Sequence, residues 1–259
     1  MMKKGNGDMR ELIYVHLHER ERFVISYGIE FKEFYHFLKD TISSILLLKH
    51  QFEDGEFHPH TMLDYVPKQK LDKLSRQDVE SYGDFSWVDF EETEALDVLE
   101  GQTIAELLYL GHLKDHLRVP FYQQLNNKYA YLAHEDGWFN KTYYKNLEAF
   151  YGLICEVVSS KLSHLKMEKA LFGIKKKRTY IQVPKQTMMA LKDFMKEGMV
   201  ISIQKTVQNR FRLEIPIWVI GDFANMDSMY EEYERKSKQN CDAKLILDKK
   251  TKEWQVVIL

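Results

Sequence analysis

Apolar residues recur along this chain with two different periods, and the period decides the element that each stretch predicts. Residues 11–27 alternate, with Leu12, Tyr14, His16 and His18 on one face, Ile13, Val15 and Leu17 on the other, and a charged turn at Arg20–Arg22. That pattern predicts a hairpin of two short strands. From Ile29 the spacing changes to three and four through Phe34, Leu38, Ile42, Ile45, Leu46 and Lys49, ahead of the turn signal Asp54-Gly55. It predicts a single helix laid on a core. Residues 53–82 hold Gly55, Pro59, Pro67 and many charges without sustained period, so they are expected to be a long connection with one short helix near Lys68–Leu74.

The stretch Gly83–Lys166 has the clearest local structure. GDFSWVDFEE is expected to be a strand, and Thr103 with Glu106 has the spacing of a capping box, which starts a helix near Ile104 that Pro120 ends. His112 and His116 then share a face at the border of its apolar stripe. Asp136-Gly137, flanked by aromatic runs, predicts a two-residue type I′ hairpin in which Glu135 faces Trp138 and His134 faces Phe139. Both faces of that hairpin carry apolar residues, so it is expected to be sandwiched. After Asn146 as N-cap, Leu147, Phe150, Tyr151, Ile154, Val157, Val158, Leu162 and Leu165 keep the helical period for five turns.

Beyond Lys175 the expected elements are a strand at Thr179–Val183, a helix at Lys185–Glu197, a hairpin from Met199 to Ile220, a helix at Asn225–Lys238 and a last hairpin from Cys241 to Leu259. The order βαββαββ matches ferredoxin-like domains with one added strand, an analogy of element order. The expected fold class is therefore α+β: a helix-rich N-terminal part with short hairpins, residues 1–173, followed by the ferredoxin-like order over residues 174–259.

Composition narrows the class of function. Hydrophobic residues make up 44% and aromatics 13% of the 259 residues, which excludes a disordered chain. Charge is nearly balanced, with 37 basic against 39 acidic residues, so no global field draws the protein to nucleic acid or to an anionic membrane. Cys155 and Cys241 lack CxxC spacing, and the N-terminus lacks an apolar leader stretch. A cytoplasmic protein with reduced thiols is expected.

Histidine is the chemical oddity. Two HxH pairs, His16/His18 and His58/His60, and one HxxxH pair, His112/His116, occur. The HxxxH spacing lets two imidazoles on a helix reach one divalent metal, with His134, Glu135 or Asp136 as third ligand and a water in the open position. The position after His112 is Leu113 rather than the glutamate of HExxH. In an HxH strand pair both rings lie on one face, but the sequence names no third ligand. Asp84, Asp89, Glu91, Glu92, Glu135 and Asp136 offer carboxylates near aromatic surface for acid–base work, and equally a solvated acidic edge. No nucleotide-binding or nucleophile-elbow motif occurs. The run Lys175, Lys176, Lys177 and Arg178 could meet phosphates of a nucleic acid, or merely charge a strand edge.

The aromatic excess between Phe121 and Tyr151 carries the leading expectation. Tyr129, Tyr131, Trp138, Phe139 and Tyr143 would form a binding surface for another protein or a small effector. The protein is then a non-catalytic interaction or regulatory protein with no cofactor and no membrane partner. A metal-dependent hydrolase built on His112 and His116 and a nucleic-acid-binding protein built on Lys175–Arg178 are the alternatives.

Overall fold

A computed structural model describes residues 11–77, 85–115, 117–164, 167–169, 175–177 and 182–259. Contacts gather the chain into two units, one of Met1–Leu17 with Tyr151–Leu259 and one of His18–Phe150.

The strands and helices of the N-terminal half are β1 (Leu12–His18), β2 (Phe23–Tyr27), α1 (Phe31–Leu38), β3 (Ser44–Lys49), β4 (Glu56–His58), β5 (Leu63–Val66), α2 (Lys68–Leu74), β6 (Ser86–Phe90), α3 (Glu94–Asp97), α4 (Gly101–Leu113), β7 (Tyr129–His134) and β8 (Phe139–Tyr144). The single helix expected from Ile29 to Lys49 is instead α1 followed by β3. Glu30 N–H donates to the Glu33 carboxylate at 3.0 Å at the helix start, and Thr41 N–H closes the end on Leu38 O at 2.8 Å. The run Ile45-Leu46-Leu47-Leu48 that mimicked a helical stripe is a fully buried strand, bonded to β5 on one side and β6 on the other. A strand covered on both faces is continuously apolar, so its period carries no sign of its type.

The second unit is therefore built on an antiparallel sheet in the order β2-β8-β7-β6-β3-β5-β4. This overturns the expectation of a helix-rich N-terminal part. The register His134↔Phe139 holds, but the link is a 3₁₀ turn over Glu135–Gly137, with positive φ at Glu135 and Gly137, rather than a two-residue turn. On one sheet face the aromatic rings close on α1: Trp87 stacks on Tyr131 at 5.5 Å, and Phe34 meets Trp87, Tyr129 and Tyr131 edge-on at 5.4–5.6 Å. Edge-to-face arrangements of this kind add about 0.5–1.5 kcal/mol per pair beyond area burial. The other face packs Leu46, Leu48, Val88, Phe90, Ala130, Leu132 and Tyr143 with Leu107 and Leu110 of α4.

Helix α4 starts at Gly101, with Glu100 as N-cap; Thr103 is buried inside it rather than capping it. Its approach to β3 depends on Gly111, where an added Cβ would lie 2.5 Å from Leu48 Cβ and 3.1 Å from the Leu48 carbonyl. Gly111→Ala should therefore cost about 1–3 kcal/mol by overpacking, outweighing the roughly 1 kcal/mol that alanine gains in helix propensity. Denaturant titration measures this, and an unchanged or raised midpoint would contradict it.

The remaining elements are α5 (Leu147–His164), β9 (Met167–Lys169), β10 (Lys175–Lys177), α6 (Lys185–Met189), α7 (Lys192–Glu197), β11 (Met199–Ser202), β12 (Val207–Gln208), β13 (Arg212–Val219), α8 (Met226–Lys236), β14 (Ala243–Asp248) and β15 (Trp254–Ile258). Helix α5 follows its predicted period from Leu147 to His164, Leu165 lying outside the described residues, and Asn146 Oδ1 accepts from Glu148 N at 2.9 Å at its start. The strand expected at Thr179–Val183 lies largely outside the described residues.

The first unit carries the strand order β15-β14-β13-β11-β1, with β12 against β13, and every one of these pairings is antiparallel. A ferredoxin-like sheet splits each βαβ unit, so that a strand and the one reached through the next helix are separated by a third strand. Here β13 is flanked by its chain neighbours β11 and β14, and the N-terminal strand β1 adds beside β11. With β13 paired directly to β14, the strand reached through α8, the ferredoxin-like expectation is overturned. Tyr233 of α8 packs edge-on to Trp218 at 5.9 Å and shares a 2.8 Å hydrogen bond with Ser202 Oγ.

Candidate metal centre

Strand β1 is extended, so Tyr14, His16 and His18 project from the same face. Tyr14 and His16 meet the segment that leaves β13, Ile220-Gly221-Asp222-Phe223. That segment is held by two bonds to one carbonyl, since Ile220 N and Gly221 N donate to Gly198 O at 2.8 and 3.2 Å. Gly198 and Gly221 both have positive φ, +82° and +107°. The approach is so close that a Cβ on Gly198 would sit 1.9 Å from Gly221 O.

The Tyr14 hydroxyl fastens the segment on either side of Asp222. It donates to Gly221 O at 3.0 Å and accepts from Phe223 N at 3.0 Å. Burial pushes the Tyr14 phenol above its ordinary range, with the hydrogen bond from Phe223 opposing and the Asp222 charge adding to the rise. The hydroxyl thus keeps the proton that it donates.

Asp222 is thereby set against His16, Oδ1 to Nδ1 at 2.8 Å, and His16 Nε2 lies 3.0 Å from Lys196 O at the end of α7. A carbonyl only accepts, so His16 Nε2 carries a proton and Nδ1 is the nitrogen turned to Asp222. A ring nitrogen oriented by an N–H···O=C bond at its far side is the arrangement that metal-ligating histidines use. His18, two residues along the same strand, completes the group: one ligand atom from each of His16, His18 and Asp222 lies within 4.8 Å of the others. The His18 ring is stacked on Phe23 at 4.1 Å, and Lys141 Nζ stands 4.5 Å from the centre of the same Phe23 ring. His16 is buried, His18 half-buried and Asp222 exposed, so solvent reaches the carboxylate side.

The residues expected from sequence lie elsewhere. Tyr129, Tyr131, Phe139 and Tyr143 are all buried and Trp138 is half-buried. The predicted binding surface is therefore core, because both sheet faces are covered. His112 is exposed on α4, which ends at Leu113, and His116 falls outside the described residues. His134 is half-buried and Glu135 exposed, and Asp136 sits in the 3₁₀ turn. His58 and His60 have structural partners, Asp97 at 3.4 Å and Leu99 O at 2.8 Å. Lys175, Lys176 and Lys177 form β10, antiparallel to β9, and Arg178 falls outside the described residues. Among the expected acids, Asp89 is buried and holds backbone N–H groups, while Glu91 is occupied by Asn126 and Lys128.

The member of this group that sequence reasoning missed is Asp222, 206 positions from His16. Its only local signal is a glycine-aspartate pair closing the strand IPIWVI. No helix among the described residues is long and apolar enough to cross a membrane. No protein-family model, no curated protein and no solved structure matches this chain.

Proposed function

We propose that this protein binds a divalent transition metal through His16, His18 and Asp222. The observation that carries the reading is the convergence of two imidazoles and one carboxylate within 4.8 Å. The orientation of His16 by Lys196 O and the clamping of Asp222 by Tyr14 support it. Two borderline nitrogens and one hard oxygen suit Zn²⁺, Fe²⁺ or Mn²⁺ better than the all-oxygen preference of Mg²⁺ or Ca²⁺. Three protein ligands leave coordination positions for water or substrate, the pattern of a catalytic rather than a structural centre. The reaction class that best fits such a set is metal-assisted hydrolysis, in which the metal polarises a bound carbonyl or phosphoryl oxygen and activates water.

Purified protein stripped with chelator and dialysed against Zn²⁺ should retain about one equivalent. His16→Ala, His18→Ala and Asp222→Asn should each weaken retention by more than about tenfold, the scale at which even outer-shell partners of a metal act. Circular dichroism confirms that the variants are folded. Equal retention by the wild type and all three variants would show that any zinc sits elsewhere.

A further inference from the structure

A second surface, independent of the metal centre, lies at one end of the first unit's sheet. The β12–β13 turn and the β14–β15 turn are bonded side by side there: Lys249 N donates to Phe211 O at 2.8 Å, Lys249 Nζ reaches Asn209 O at 2.6 Å, and Arg212 pairs with Asp248. This juxtaposition puts Arg210, Arg212, Lys249, Lys250 and Lys252 on two adjoining turns, with Arg210 and Lys249 in contact with Phe211. Phe211 is 65% exposed, with the Arg210 guanidinium 5.8 Å from the centre of its ring. The acids nearby offset this charge only in part. Asp248 accepts from Lys250 N and Thr251 N at 2.8 and 3.1 Å, and Glu214 is paired with Lys244 at 2.9 Å. Five cations in two turns stand out in a chain whose formal net charge is −2.

We infer that this end binds single-stranded nucleic acid. A projecting phenylalanine is costly in water and has no role in the core, whereas a base stacks on it whatever its identity. Cations on both turns meet the phosphates that flank a stacked base. Neither turn presents a helix for the major groove of a duplex, and single strands leave base faces open.

The test is fluorescence anisotropy of the full chain with labelled 12-nucleotide single-stranded RNA and DNA at low salt, with heparin as a polyanion that has no bases. Oligonucleotide binding should weaken with salt. Arg210→Ala/Arg212→Ala should weaken it further and flatten the salt slope by roughly 1–1.5, from about 0.7 per phosphate contact on single strands. Phe211→Ala should weaken oligonucleotide binding about tenfold or more while leaving heparin binding unchanged, because only a base stacks. No binding at low salt would overturn the inference, as would equal loss of heparin and oligonucleotide binding in Phe211→Ala, or no loss of either.

Discussion

Gly198→Ala should unfold at markedly lower denaturant and lose the metal together with its stability. Gly198 sits at φ +82° and ψ 103°, a region that a residue with a Cβ avoids. Strain at such a position costs about 1–3 kcal/mol. The added methyl would also meet Gly221 O at 1.9 Å and Gly221 C at 2.6 Å, and both are backbone atoms with no rotamer to change. Overpacking adds about 1–3 kcal/mol, so a total of roughly 2–6 kcal/mol is expected. Relief of the clash moves the segment that carries Asp222 away from His16. Urea unfolding and zinc retention, measured on the same preparation, check both effects. Stability within about 1 kcal/mol of the wild type would show that the two strand ends are not in contact as described.

Asp89 is the second site of large effect. Its Oδ1 accepts from Lys128 N at 2.9 Å and Tyr129 N at 2.6 Å at the entry to β7, and its side chain is buried. Asp89→Ala leaves two backbone donors unsatisfied, at about 1–3 kcal/mol each, so a loss of roughly 2–6 kcal/mol is expected. Asp89→Asn keeps an oxygen in the Oδ1 position and should cost much less. Burial pushes the Asp89 carboxyl up to about 7, from an ordinary value of 3.8, against the lowering effect of its backbone hydrogen bonds.

The direction of the pH effect follows. Below about pH 4 the carboxyl is protonated in both folded and unfolded chains. Between about pH 4 and pH 7 the unfolded chain releases the proton first, so the folded state binds more protons and stability falls as pH rises. Asp89→Asn removes that contribution, and its stability relative to wild type should improve from about pH 4 to about pH 7 and level off above. A constant difference across that window would contradict the account of Asp89.

Local periods carried much of the element assignment and almost none of the pairing. Helix α5 was legible because eight apolar residues keep one period with no competing one. The run Ser44–Lys49 was not, because four consecutive buried aliphatics fit a helix stripe and a central strand equally well. The aromatic cluster at Tyr129–Tyr144 was visible as a cluster, yet whether it faces water depends on α1 and α4 covering the two sheet faces, and no local pattern states that. The ferredoxin-like reading failed for the same reason, since order along the chain does not say which strands lie side by side in the sheet.

The candidate metal site shows the limit most clearly. His16 and His18 announce themselves two residues apart on a strand. Asp222 becomes their neighbour only through the chain of pairings from β1 to β11 to β13, together with two glycines that allow the close approach at Gly198 and Gly221. Tyr14, which places Asp222, looked like one more alternating strand residue.

X-ray absorption of the zinc-loaded protein tests the central claim most directly. Two imidazole nitrogens and at least one oxygen at about 2.0–2.2 Å, with imidazole scattering reduced in His16→Ala and in His18→Ala alike, is the predicted result. A zinc shell without imidazole, or one unchanged in both variants, would contradict a metal centre at His16, His18 and Asp222.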